Sequence, residues 1–191
     1  WERGWSFIKK AGTIILLSTI VLWFLMTYGF GADGFGAVEL EESLLATIGG
    51  VIAPIFAPLG WGDWKMSVAA MTGLIAKENV VGTFGILYGF AEVAENGDEI
   101  WSNLAAAMTP VAAYSFLVFN LLCAPCFAAM GAIKREMNNA KWTWFAIGWQ
   151  TGLAWLASLC IYQIGTLLTG GGFGIGVIVS VLVIALFVYL L

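Results

Sequence analysis

The chain has 191 residues, 61% of them hydrophobic and 10% charged, with a formal net charge of −4. A soluble domain holds about 45–50% apolar and about 25% charged residues, so this composition indicates an integral membrane protein and offers no basic patch to a nucleic acid. His is absent, which removes the commonest transition-metal ligand and the usual proton relay. The three cysteines, Cys123, Cys126 and Cys160, all fall in apolar segments and do not outline a secreted disulfide framework.

The chain begins at Trp1, without Met and without a signal-peptide pattern, and reads as a piece of a longer protein. Trp1–Lys10 is short and polar. Ala11–Tyr28 then runs uncharged for about the length that crosses a hydrocarbon core. Gly29–Glu42 is a Gly-rich acidic loop. Leu44–Trp61 is apolar but interrupted by Gly49, Gly50, Pro54 and Pro58, as expected of a broken span or a re-entrant hairpin. Met66–Phe90 is the next apolar segment, with Lys77, Glu78 and Asn79 at its middle. Ala91–Ala107 is a second acidic loop. Met108–Ile133, Trp142–Leu168 and Phe173–Leu191 complete six apolar segments. The expected fold is all-α, a polytopic membrane helical bundle with spans near 11–28, 44–61, 66–90, 108–133, 142–168 and 173–191. At least two of these are broken by Pro, Gly or intramembrane charge.

Charge gives an orientation. If all six segments cross and the N-terminus is cytoplasmic, Arg3, Lys9, Lys10, Lys65, Lys134, Arg135 and Lys141 all lie inside, in accord with the positive-inside rule. Asp33, Glu39, Glu41, Glu42, Glu92, Glu95, Asp98 and Glu99 then lie outside, and both termini are cytoplasmic. A re-entrant Leu44–Trp61 would instead move Lys65 outside and invert the later basic turn.

Two stretches carry candidate chemistry. The first is Asn120-Leu-Leu-Cys-Ala-Pro-Cys126, in the middle of an apolar run. Pro125 removes a backbone donor and clashes with the carbonyl four residues earlier, so a helix must kink or open there. On helical spacing, Cys123 and Cys126 share a face, with Asn120 one turn earlier. Thiols suit soft or borderline ions, and nearby carbonyls, the Asn120 amide and Met130 could complete a weak, transient site. The alternatives are a dithiol redox pair, or a plain kinked helix in which Cys is only a small hydrophobe. The second stretch is Lys77-Glu78-Asn79. A charge at the bilayer centre costs about 2.5–3.5 kcal/mol on insertion scales, so Lys77 and Glu78 are expected to face a cavity or a partner. Glu78 is the candidate cation ligand, and Lys77 a counter-charge or a gate. A structural interhelical ion pair is the competing reading. Ala53–Gly60 also aligns with Ala124–Gly131 at five of eight positions. Paired breaks of this kind can mark a transport site. The chain contains no phosphate-binding G-x-x-x-x-G-K-[ST] loop and no hydrolase constellation.

Three stretches, Phe7–Leu16 (F-I-K-K-A-G-T-I-I-L), Gly73–Gly85 (G-L-I-A-K-E-N-V-V-G-T-F-G) and Leu117–Glu136 (L-V-F-N-L-L-C-A-P-C-F-A-A-M-G-A-I-K-R-E), resemble the C-terminal part of the membrane domain of the ferrous iron transport protein B (FeoB) family. The resemblance implies Fe²⁺ uptake across a bacterial inner membrane, with Fe²⁺ as the transported ion. It implies that residues 1–191 are the C-terminal half of a permease domain. Pro125-Cys126 matches the family's second gate motif, so Cys126 is the implied pore thiol, with Cys123 an extra one. Glu78 falls in the family's A-K-E stretch. On this basis Cys126, Cys123, Glu78 and Asn120 are the candidate metal ligands, and Lys77, Pro125 and Asn79 the gating or structural residues. GTP enters only through a G domain outside this chain, which itself is not expected to be an enzyme. The implied partners are the lipid bilayer, the N-terminal half and GTPase of the same protein, a small FeoA-type protein and a possible second copy. A membrane thiol oxidoreductase using Cys123 and Cys126, or a structural anchor for the GTPase, are the alternative functions.

Overall fold

The computed structural model describes residues 2–31, 34–73, 77, 80–88 and 101–190. Among the described residues there are nine α-helices: α1 (Glu2–Thr27), α2 (Leu44–Phe56), α3 (Trp64–Gly73), α4 (Val80–Leu87), α5 (Trp101–Ala107), α6 (Pro110–Leu122), α7 (Phe127–Met137), α8 (Ala140–Leu168) and α9 (Ile175–Leu190). The all-α membrane bundle expected from composition is what forms.

Local chemistry sets the helix ends. Ser43 caps α2 by accepting from the Ala46 N–H (3.1 Å). Thr109 does the same for Ala112 N–H (3.2 Å), with Pro110 in the first turn of α6, where its missing N–H has no helical partner to lose. Asn139 accepts from the N–H groups of Lys141 and Trp142 and starts α8, directly after Asn138 ends α7 in the left-handed region at φ 44°. The stretch expected as a Gly-rich loop holds a small antiparallel ribbon, β1 (Tyr28–Gly31) and β2 (Gly34–Ala37). Stacked rings of Phe24, Tyr28 and Phe35 hold it to the end of α1. Gly29 lets the ribbon lie against Glu42 and Val38, since a side chain there would strike both.

Leu44–Trp61, Met66–Phe90 and Met108–Ile133 are not single helices, and the first two show how the chain turns. The first, Leu44–Trp61, forms α2 and a 3₁₀ turn (Ala57–Leu59), and then meets α3 at an angle of 93°. The start of α3 packs back on the middle of α2. A Cβ on Gly49 would lie 2.7 Å from Val68 and 2.9 Å from the Trp64 carbonyl. The second, Met66–Phe90, is divided into α3 and α4, which run as the two limbs of a hairpin. Thr72 donates to Thr83 over 3.1 Å, although residues eleven apart in one helix would be separated by about 16 Å. At the other end of the limbs, the Lys65 ammonium stands 5.1 Å from the ring centre of Tyr88 and 3.8 Å from the Glu41 carboxylate. Charge counting put Lys65 and Glu41 on opposite sides of a membrane. The structure places them together, because the chain turns back on itself between α2 and α3.

The core is built on this return. Trp61 stacks on Phe56 (4.4 Å between centres) and meets Phe116 and Phe119 edge-on or tilted, with Leu59, Met66 and Val68 fully buried beneath. A buried hydroxyl pair locks α6 to α8. Ser115 and Ser158 lie 2.7 Å apart at their oxygens, Ser158 donates to the Ser115 carbonyl, and Trp61 Nε1 donates to Ser115. Around this core, α1, α8 and α9 present exposed Leu16, Leu17, Trp144, Trp149, Leu182 and Val188, the apolar surface that lipid covers. Among the described residues, α8 is the helix long and apolar enough to cross a membrane by itself, while α2–α3 and α5–α6 qualify only as bent pairs, the second bent by 105°.

Gly60 closes the turn between α2 and α3 at φ 89°, and a Cβ there would run into the Tyr162 ring. Gly60→Ala is therefore expected to destabilise the fold by about 1–3 kcal/mol through overpacking, with the left-handed backbone adding to it. Thermal unfolding in detergent measures this, and an unchanged midpoint would refute the placement of α8 against this turn.

Candidate functional site

The expected break in Met108–Ile133 is present. Helix α6 stops at Leu122, residues 123–126 are irregular, and α7 begins at Phe127. Cys123 ends α6 in extended conformation (ψ 169°), and Cys126 precedes α7 in another (ψ 159°). Pro125 is the cause. In a continuous helix its nitrogen would face the Leu121 carbonyl, and it has no proton to give. The carbonyls of Leu121 and Cys123 are thus freed in an apolar setting, where an unsatisfied backbone group is costly.

Lys77 takes them up. Its Nζ donates to the Leu121 carbonyl over 3.4 Å and to the Cys123 carbonyl over 3.3 Å. The half-buried ammonium thus sits on the C-terminal end of α6, where the helix dipole carries its negative pole. This joins two stretches that are 44 residues apart in the chain. Asn120 belongs to the same place. Its Nδ2 donates to the Phe116 carbonyl (2.9 Å), while its Oδ1 is buried without a partner. That oxygen is directed at Gly73, the last residue of α3, where an added Cβ would lie 2.8 Å from it.

The thiols do not act as a helical pair. Cys123 is buried and its Sγ donates to the Asn120 carbonyl (3.4 Å). Cys126 is half-buried on the far side of the break. Because the backbone between them is extended, the expectation that they share a helix face with Asn120 does not hold. All three cysteines are free. Glu78 and Asn79 lie outside the described residues, and among the described residues no three His, Cys, Asp or Glu side chains converge.

The earlier break shows the opposite solution. The carbonyls at the end of α2 are met by fixed neutral donors from α6 and α8: Trp155 Nε1 to Ile55 (3.0 Å), Gln163 Nε2 to Pro58 (2.7 Å) and Ser115 Oγ to Leu59 (2.9 Å). Pro54 lies inside α2, so the aligned Ala53–Gly60 and Ala124–Gly131 differ in conformation. Of the partners that hold this turn, Ser115, Ser158, Trp155 and Gln163 are not legible as such from sequence. The polar side chains of Ser115, Ser158 and Gln163 within apolar runs are the only signal.

Comparison of the sequence with known proteins shows its family. The Gate family, described as nucleoside recognition, matches residues 8–140. The Fe(2+) transporter FeoB of Methanocaldococcus jannaschii is 41% identical over 173 residues, covering 88% of this chain and 25% of the relative. The Fe(2+) transporter FeoB of Staphylococcus aureus is 32% identical over 87% of this chain and 24% of the relative. A fusion of Fe(2+) transport protein A with FeoB from Porphyromonas gingivalis is 31% identical, again over 87% of this chain and 24% of its own length. The chain spans about a quarter of the length of these relatives. No solved structure matches it. The match to the Gate family over residues 8–140 and the similarity to these relatives place the chain in the Gate family, as a fragment of the membrane domain of FeoB proteins.

Proposed function

We propose that this chain forms the C-terminal half of the permease domain of a GTPase-linked ferrous iron transporter, and that the α6–α7 break is part of its Fe²⁺ path. The observation that carries the reading is the pair of carbonyls freed at Leu121 and Cys123 and held by a cationic side chain. Helices broken within a membrane, with half-helix C-terminal ends turned to a cation, are a recurrent way to bind an ion that must leave again. Cys126, Cys123 and Asn120, with Glu78 from the adjoining stretch, supply soft and oxygen ligands suited to a borderline ion such as Fe²⁺. Lys77, Pro125 and Asn79 serve gating. The buried position of Cys123 against a carbonyl favours transport over a dithiol redox cycle. The GTPase, the N-terminal half, an FeoA-type protein and a possible second copy are the partners this reading implies.

The same reading carries a topology. If α2–α3 and the α3–α4 hairpin both enter and return on the side of the β-ribbon, the number of reversals is even. Helix α1, the α6–α7 pair, α8 and α9 then cross. Both termini and the Lys134, Arg135 and Lys141 turn lie in the cytoplasm of a multi-pass protein in the cell (inner) membrane, and only Lys65 changes side. The inversion expected for a re-entrant Leu44–Trp61 disappears, because the following segment returns as well.

In cells expressing the full-length protein, Cys126→Ser and Glu78→Ala should each lower Fe²⁺ uptake by about tenfold or more, corresponding to about 1.4 kcal/mol for a lost ligand, with normal protein abundance. Wild-type uptake in both would remove the site. Joint replacement of Lys77 by Met and Glu78 by Leu without loss of uptake would reduce the region to a structural anchor. For topology, cysteines introduced as Glu41→Cys and Lys65→Cys should react with an impermeant thiol reagent from the same face of sealed vesicles, and reaction from opposite faces would overturn the returning hairpins.

A further inference from the structure

We propose that Lys77 is a tethered monovalent cation that occupies the seat of the permeating divalent ion, so that the path is closed until an incoming ion displaces the ammonium. This rests on the α6–α7 break being part of the ion path. The ammonium contacts the two carbonyls that a cation at this helix end would use, those of Leu121 and Cys123. Asn120, one residue before Leu121 and nine-tenths buried, leaves its Oδ1 without a partner at the same helix end. A buried amide oxygen without a donor is a costly arrangement for a merely structural helix end. It is the arrangement expected of an oxygen kept for an exchangeable ligand.

The contacts of Lys77 are weak. Charge-assisted N–H···O bonds run about 2.7–2.9 Å, whereas these are 3.3 and 3.4 Å. The earlier break makes the contrast. There the freed carbonyls hold neutral, fixed donors at 2.7, 2.9 and 3.0 Å, and no competition with an ion is built in. Charge also sets which ions can compete. A divalent ion interacts about twice as strongly with the same carbonyl dipoles as the ammonium does, while a monovalent ion has no such advantage. Two cations within a few ångströms repel, so the ammonium and the ion exclude each other. Lys77 follows α3, whose last residue Gly73 lies against the Asn120 amide oxygen, so the ammonium and that oxygen belong to the same helix end.

The test uses the full-length protein in liposomes, under anaerobic conditions, with Fe²⁺ and K⁺ as the probes. Lys77→Met should raise Fe²⁺ influx in the absence of GTP about tenfold or more over wild type, as expected where the open state is a minor population of roughly 10% or less at rest, and should admit K⁺. Lys77→Arg keeps the cation and should remain closed to both. Influx of Lys77→Met without GTP no higher than that of wild type, at equal protein content, overturns the proposal. Should Lys77→Met lose Fe²⁺ uptake together with Cys126→Ser, the transport site stands and the displaced-cation mechanism falls. Should Cys126→Ser and Glu78→Ala both transport normally, the site assignment falls on its own. A variant that does not fold is bypassed on the wild-type protein by amine acylation read by mass spectrometry. Acylation of Lys77 should rise when Fe²⁺ is added and not when K⁺ is added, and unchanged acylation under Fe²⁺ overturns the proposal.

Discussion

The structure depends on one constraint, that a backbone carbonyl freed in an apolar medium must find a donor. Water can supply it at a protein surface, but in a bilayer the donor has to come from the protein. Two helix ends of this chain leave such carbonyls free, at the close of α2 and, through Pro125, at the close of α6. At the end of α2 the response is tertiary: Trp155, Gln163 and Ser115 reach in from α8 and α6, and the helices are thereby fixed around the Trp61 core. At the end of α6 the response comes from a lysine on a different stretch, which fixes the α3–α4 hairpin against the break. The same defect thus yields a closed core at one site and a charged, polar contact at the other.

The returning segments follow from close packing as much as from hydrogen bonds. Glycine sits where limbs touch: Gly49 under Trp64 and Val68, Gly60 under Tyr162, Gly73 under Asn120 and Val80. Each contact is too near for a Cβ, so the hairpins can pack at backbone distance, as small residues allow between membrane helices. Short limbs then bring Lys77 to the α6–α7 break, and Lys65, Tyr88 and Glu41 remain together at the opposite end.

What was legible in the sequence is what one-dimensional chemistry encodes. Apolar content gave the membrane bundle. Pro125 gave the break. Hydropathy, however, scores a hairpin and a crossing alike, because both bury apolar residues, so Met66–Phe90 reads as one span although Thr72 bonds to Thr83. Lys65 carries a contact that charge counting does not show: the positive-inside rule sets it apart from Glu41, yet the two side chains lie 3.8 Å apart. The helical spacing of Cys123 and Cys126 fails because the proline that makes the stretch interesting also ends the helix on which that spacing rests. The contact of Lys77 with the Leu121 and Cys123 carbonyls joins residues 44 and 46 positions apart, and no local pattern announces it.

Why a lysine should hold the second break can be argued from charge. A neutral donor of the kind found on α2 would satisfy both carbonyls without placing a charge in the membrane, which costs about 2.5–3.5 kcal/mol on insertion scales. The α6 terminus returns part of that cost, since a cation at a helix C-terminus gains up to about 2 kcal/mol when partly buried. The balance leaves the ammonium poorly held, in keeping with contacts longer than 3.2 Å. A fold selected for rigidity alone would use the neutral solution that the same chain already employs at Leu59 with its Ser115 partner. The charged solution makes sense where the helix end has to recognise positive charge and let it go.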